Sequence, residues 1–217
     1  MKPSMVEKEG FAALVLRLRA EGISDLDLLT AVEQTPRSLF VPAAAAADAY
    51  SGRTIPIECG AFMEGADLAV RMLHHLQVKP GQRVLEIGTG SGFTGAVLGR
   101  LAERVLSVDR YRTLVTGAQG RMDKLSLRNV VIRQADGING MPGEGTFDRI
   151  LVTGAVTSMP RFYAEQLVSG GAMIAPLIRE DGSCMMMRLT KTGSRFDRED
   201  LFPAPYLPLV PHIAAAL

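Results

Sequence analysis

Tryptophan is absent from this 217-residue chain, histidine occurs three times, cysteine twice, and there is no run of lysine or arginine. Each shortage excludes something. Cys59 and Cys184 stand apart with no Cys-x-x-Cys pattern, so a reducing cytoplasm is the natural setting. His74-His75 and His212 lack metal-ligand spacing to any cysteine or acid, read as surface or packing residues, and give no reason to expect a metal. The longest early apolar stretch, residues 11–16, is stopped by Arg17 and Arg19. It is too short and too charged for a signal peptide or a spanning helix, so no membrane role is expected. With a formal net charge of +1, nothing marks a nucleic-acid footprint either.

What the chain does have is apolar content, 47% of residues, enough for a substantial core. At this size roughly 70% of the unfolded chain's surface is buried on folding. The length fits one large domain, or a domain with an N-terminal extension. Residues 6–20 and 25–35 read as helices split at Gly22, with Ser24 placed to cap the second. Pro36 and Pro42 then break the chain, residues 43–49 form an alanine-rich helical turn, and 50–65 form a loop. Another helix covers 68–76. From Arg83 the pattern alternates, with strands at 83–87, 104–108, 129–133 and 147–153 and helices at 92–101, 112–126 and 158–168. Such alternation predicts a Rossmann-like, doubly wound, mostly parallel α/β sheet with helices on both faces. After Gly170-Gly171 the segments 172–177, 184–190 and 206–210 are strand-like, which adds an antiparallel hairpin at the sheet edge. Met185-Met186-Met187 belongs to one of these strands as core or face-alternating residues.

The densest chemical signal is Val84-Leu-Glu-Ile-Gly-Thr-Gly-Ser-Gly, a buried strand running into a glycine turn and a helix. Glycines at 88, 90 and 92 leave no Cβ between the backbone and a ligand lying across the strand end. Asp109, at the tip of the next strand, is where a ribose diol would be held, because a carboxylate accepts both hydroxyl hydrogens. The third glycine falls one residue too early for a dinucleotide fingerprint, and there is no Gly-x-x-x-x-Gly-Lys-Ser/Thr phosphate loop. Glu86 would repel a pyrophosphate but suits an ammonium group. S-adenosylmethionine carries an ammonium, a sulfonium, a ribose and an adenine without phosphate, and is the expected cofactor.

In a doubly wound sheet, ligands sit outside the carboxyl ends of the strands near the switch point. That gathers Glu86, Gly88, Thr89, Gly90, Ser91, Gly92, Asp109, Arg110, Asp136, Gly137 and Thr153 into one expected cofactor crevice. Asp136 would accept from the adenine amino group, with the Gly137 amide beside the ring.

Over roughly residues 25–211 the chain resembles the protein-L-isoaspartate O-methyltransferases. Val84-Leu-Glu-Ile-Gly-Thr-Gly-Ser-Gly-Phe93 looks like that family's version of the glycine motif. Pro36-Arg37 with Phe40-Val41-Pro42, Ala49-Tyr50 with Ile55-Pro56-Ile57, Asp136-Gly137, Phe147-Asp148 and Pro208-Leu209-Val210 match its flanking segments more specifically. The resemblance implies methyl transfer from S-adenosylmethionine to the free carboxylate of isoaspartyl residues, a repair of damaged proteins. The order of elements along the chain divides it into a helical extension with a cleft-covering loop at 1–65 and a methyltransferase core at 66–217, expected to form one compact unit.

One departure falls at the acceptor side. Where the family has Gln-Thr-Ile-Ser-Gln-Pro, this chain has Ala61-Phe62-Met63-Glu64-Gly65-Ala66, so Glu64 stands at the serine position. An ionised Glu64 about 4 Å from a substrate carboxylate would cost on the order of 4 kcal/mol at an effective dielectric near 20. That is roughly three decades of affinity. Burial could keep Glu64 protonated and donating, the acceptor could be a hydroxyl or amine, or Glu64 could point to solvent. Three functions therefore stand open: isoaspartyl methylation, methylation of a different acceptor, and catalytically silent S-adenosylmethionine binding. A nicotinamide-dependent oxidoreductase is set aside by the early third glycine.

Overall fold

The computed structural model describes residues 5–159 and 161–214. Helices α1 (Met5–Ala20) and α2 (Leu26–Glu33) meet at a turn where Gly22 takes a φ of 84°. Asp25, rather than Ser24, caps α2, its carboxylate accepting the N–H groups of Asp27 and Leu28. Short 3-10 turns at Arg37–Leu39 and Ala43–Asp48 lead to an antiparallel pair, β1 (Ile55–Pro56) and β2 (Phe62–Met63). Helix α3 (Ala66–Leu76) enters the main unit.

There the elements alternate: β3 (Arg83–Ile87), α4 (Phe93–Leu101), β4 (Arg104–Asp109), α5 (Arg112–Lys124), β5 (Val130–Gln134), β6 (Phe147–Val152), α6 (Arg161–Gln166) and β7 (Leu167–Ile178). Strands β8 (Cys184–Thr192) and β9 (Arg195–Pro203) follow. The seven-stranded sheet has the order β5-β4-β3-β6-β7-β8-β9, with β3 to β7 parallel and β8 and β9 antiparallel additions. The expected doubly wound sheet is therefore present. Its antiparallel end is longer than expected, because β9 joins it, while residues 206–210 form no strand. Prolines at 205, 208 and 211 remove ladder donors there, leaving a single bridge from Pro208 to Ala155. The helix expected over 158–168 is the shorter α6, and Pro160 lies outside the described residues.

The inner strands are buried on both faces, as parallel strands covered by helices must be. Side-chain alternation divides them between two cores. Val84, Val105 and Leu151 pack with α1 to α4, while Leu85, Ile87, Val108 and Val152 pack on the opposite face with Tyr163 of α6. The strand order reverses between β3 and β6, so Gly88 and Thr153 stand side by side at the carboxyl edge of the sheet. The Thr153 N–H donates to the Ile87 carbonyl at 2.9 Å.

Candidate functional site

The turn after β3 is held open by backbone geometry. Gly88 and Gly90 have φ of 93° and 52°, a region that side chains other than glycine rarely occupy. A Cβ at Gly88 would collide with the Thr153 hydroxyl, which donates to the Gly88 carbonyl at 2.6 Å. A Cβ at Gly90 would meet only the Ile57 Cδ1 at 3.8 Å, so this glycine borders open space. Gly92 serves otherwise than expected. Its missing side chain admits Ala118 of α5, whose Cβ would lie 2.9 Å from an added Cβ, so it permits helix packing rather than ligand approach.

Glu86 also departs from expectation. It shares the face of Val84, turned toward α4 rather than the crevice, and is wholly enclosed. The Thr94 and Ser107 hydroxyls each donate to its carboxyl at 2.5 Å, and Ser107 exchanges a 2.6 Å bond with Thr89. Burial pushes the Glu86 carboxyl up to about 7, against the two hydroxyl donors that favour its ionised form. Thr89 and Ser91 are likewise buried beneath the turn.

Above the turn lies a cavity of about 440 Å³. Of the expected cofactor residues, Gly88, Gly90, Asp109, Arg110, Asp136, Gly137 and Thr153 line it; Glu86, Thr89, Ser91 and Gly92 do not. Asp109 receives the Gly90 N–H at 2.9 Å and the Tyr111 N–H at 3.0 Å, leaving lone pairs toward the cavity. Burial raises its carboxyl, countered by those backbone donors. Asp136 accepts the N–H of Ile138 at 3.0 Å and of His212 at 2.7 Å.

Sequence reasoning missed several walls of this cavity. Residues 205–210 close one side, and Arg110 ties the segment down by donating to the His212 carbonyl at 3.0 Å. Cys59, Tyr111 and Leu114 line another part. The proline spacing at 205, 208 and 211 was the available signal for an extended wall. Among the described residues, no three His, Cys, Asp or Glu side chains gather closely enough to hold a metal ion, and no helix is long and apolar enough to cross a membrane.

Glu64 lines the cavity as well, half-buried, and desolvation raises its carboxyl while the charge of Arg37 pulls it down. Arg37 itself is fully enclosed. Its guanidinium lies 4.4 Å from the centroid of the Phe93 ring, and its Nη2 donates to the Glu64 carbonyl. Its Nε and Nη1 find no hydrogen-bond partner among the described residues, and burial lowers its pKa to about 10.

A family model described as Protein-L-isoaspartate(D-aspartate) O-methyltransferase matches residues 9–214. A protein-L-isoaspartate O-methyltransferase of Rhizobium meliloti (strain 1021) is 60% identical over 204 residues, covering 94% of this chain and 100% of its own. One of Azorhizobium caulinodans is 41% identical over 217 residues, spanning 100% of both chains. Among solved structures, a protein-L-isoaspartate O-methyltransferase superposes with a TM-score of 0.81 at 23% identity, over 95% of this chain and 67% of that one. A Plasmodium falciparum protein in complex with S-adenosyl-L-homocysteine does so with a TM-score of 0.77 at 21% identity, over 91% and 97%. At such identities the structural likeness speaks to the fold.

Proposed function

The chain belongs to the protein-L-isoaspartate(D-aspartate) O-methyltransferase family, and from that premise we propose that it methylates the free carboxylate of isoaspartyl residues in damaged proteins, with S-adenosylmethionine as donor. The observation that carries the reading is the cavity at the switch point, where two left-handed glycines and the carboxylate of Asp109 face one cleft of about 440 Å³. That volume lies within the roughly 300–1,000 Å³ usual for small-molecule sites. The residues present fit an adenosine ligand. Asp109 has lone pairs left for a ribose diol after accepting its two backbone N–H groups, and Gly90 adds no side chain between backbone and ligand. Asp136 and Gly137 stand at the next strand end for the base.

S-adenosylmethionine supplies, when bound, a methyl group on a sulfonium centre. An acceptor carboxylate is already ionised near neutrality, so the chain's task is to align it and to exclude water rather than to remove a proton. Glu64 and residues 205–210 also line the cavity, and this reading assigns the acceptor to their side of it. The free thiols of Cys59 and Cys184 suit a reducing compartment, and we place the protein in the cytoplasm.

The test is transfer of isotopic methyl to an isoaspartyl peptide, beside its aspartyl counterpart and an active relative. Transfer to the isoaspartyl form alone is expected, with S-adenosylmethionine raising the melting temperature. Absence of saturable binding at millimolar cofactor rejects the reading.

A further inference from the structure

Arg37 lies beside Glu64 without lining the cavity itself, its guanidinium donating to the Glu64 backbone carbonyl. Arg37 is fully enclosed, one nitrogen is engaged by the Glu64 carbonyl, and two others have no acceptor among the described residues. The Glu64 side chain springs from that same residue and lines the cavity, and Arg37 is the cation acting on its carboxyl. A buried ion must be balanced, because uncompensated charge in a poorly solvated site is costly.

The site's charges can be counted. Arg110, Arg37 behind Glu64 and a sulfonium cofactor each add one positive charge; ionised Glu64, Asp109 and Asp136 each add one negative. Glu86, enclosed with two hydroxyl donors, adds none while protonated. The sum is zero until an acceptor carboxylate enters, and one proton then restores it. Resting on the reading of isoaspartyl methylation, we propose that Glu64 is a catalytic residue that recognises the acceptor: its carboxyl and the substrate carboxylate share one proton, taken up from solvent as the substrate binds. Two carboxylates at one site cannot both stay ionised without penalty, and a shared proton turns their repulsion into a hydrogen bond. During transfer the other substrate oxygen attacks the methyl carbon. The new O–C bond forms, the C–S bond breaks with its electron pair left on sulfur, and the shared proton stays with Glu64. The product ester is neutral and accepts that hydrogen bond more weakly, which favours its departure.

Other groups face Glu64. The Tyr206 phenol, raised well above its ordinary value by burial, stays neutral; Glu86 and, through it, Asp109 act from the strand ends; Tyr50 and Asp67 act on Arg37. Glu86 and Asp109, both raised by burial, are the carboxyls that compete with Glu64 as sources of pH dependence.

The experiment measures KM for an isoaspartyl peptide across about pH 6–9 in wild type, Glu64→Gln and Glu86→Gln. Full linkage raises the wild-type KM about tenfold per pH unit over the alkaline half, with kcat nearly level. Glu64→Gln keeps an N–H donor and has no proton to release, so its KM is expected to stay flat; Glu86→Gln is expected to keep the wild-type slope. Calorimetry of peptide binding to wild type loaded with sinefungin, which keeps the positive charge and transfers no methyl, reads proton uptake without any variant. Close to one proton per peptide is expected at the alkaline end. A flat wild-type KM, no proton uptake, or equal slopes in wild type and Glu64→Gln overturns the proposal while methylation stands. Binding of sinefungin with no binding or methylation of the peptide at any pH would instead reject the proposed function, and this role of Glu64 with it.

Discussion

Asp109 accepts the N–H of Gly90 at 2.9 Å, so the carboxylate at the end of β4 fixes the glycine turn that leaves β3. One side chain thus shapes the turn and faces the cavity it borders. Asp109→Ala is expected to weaken S-adenosylmethionine binding by roughly 1–3 kcal/mol, since the ribose hydroxyls and two backbone N–H groups lose their acceptor. Isothermal calorimetry checks this. Unchanged affinity would remove Asp109 from the site.

Gly88 is expected to tolerate no side chain. Gly88→Ala must hold a φ of 93° and displace the Thr153 hydroxyl. The backbone strain alone is on the order of 1–3 kcal/mol. A fall in both melting temperature and cofactor affinity is expected, whereas Gly182→Ala, also at positive φ but with nothing within 4 Å of its added Cβ, should lower only the first.

Glu86 gives the fold a pH dependence of definite sign. Its carboxyl titrates near 7 when folded and near its ordinary 4.5 when unfolded, so between these values the folded chain holds a proton that the unfolded chain has released. Stability therefore falls as pH rises through that window and levels off above it, by on the order of 3 kcal/mol. Glu64 and Asp109, also raised by burial, add slope of the same sign. Urea midpoints across the window are expected to slope less in Glu86→Gln than in wild type, and parallel curves would contradict the assignment.

The Tyr50 hydroxyl donates to Glu7 at 2.8 Å and accepts the Arg37 N–H at 3.3 Å, joining α1 to the segment that carries Arg37. Tyr50→Phe is expected to cost about 1–2 kcal/mol. For a chain of this length that lowers the melting temperature by roughly 2–8 °C. Scanning calorimetry reads it directly, with S-adenosylmethionine affinity expected to stay within about twofold of wild type.

Where burial dictates pattern, the sequence was readable. Strand β3 begins and ends where its apolar run does, and β4, β5 and β6 agree to within one residue at each end. Strand β9 was not readable, because Arg195 to Asp200 is exposed and charged; it is a strand by pairing with β8, not by burial. The site divides the same way. Asp109 and Gly88 were legible from the turn chemistry. The orientation of Glu86 was not, since a run buried on both faces does not mark which face meets the ligand. Arg37 was visible only as part of a motif, and its proximity to Glu64 arises from tertiary packing.

The exposed strand β9 has one more bearing on how the protein behaves in company. It forms an open edge of the sheet, where unpaired backbone groups would template another strand. Along it, Arg195, Asp197, Arg198, Glu199 and Asp200 stand in solvent, with Asp200 held by Arg179 at 2.6 Å and Arg198 at 2.8 Å. A neighbouring chain adding to that edge would have to strip water from this row of mixed charge, and Pro203 offers it no N–H. The edge that the topology leaves open is thereby guarded by its own side chains, and an incoming strand finds no bare backbone template there.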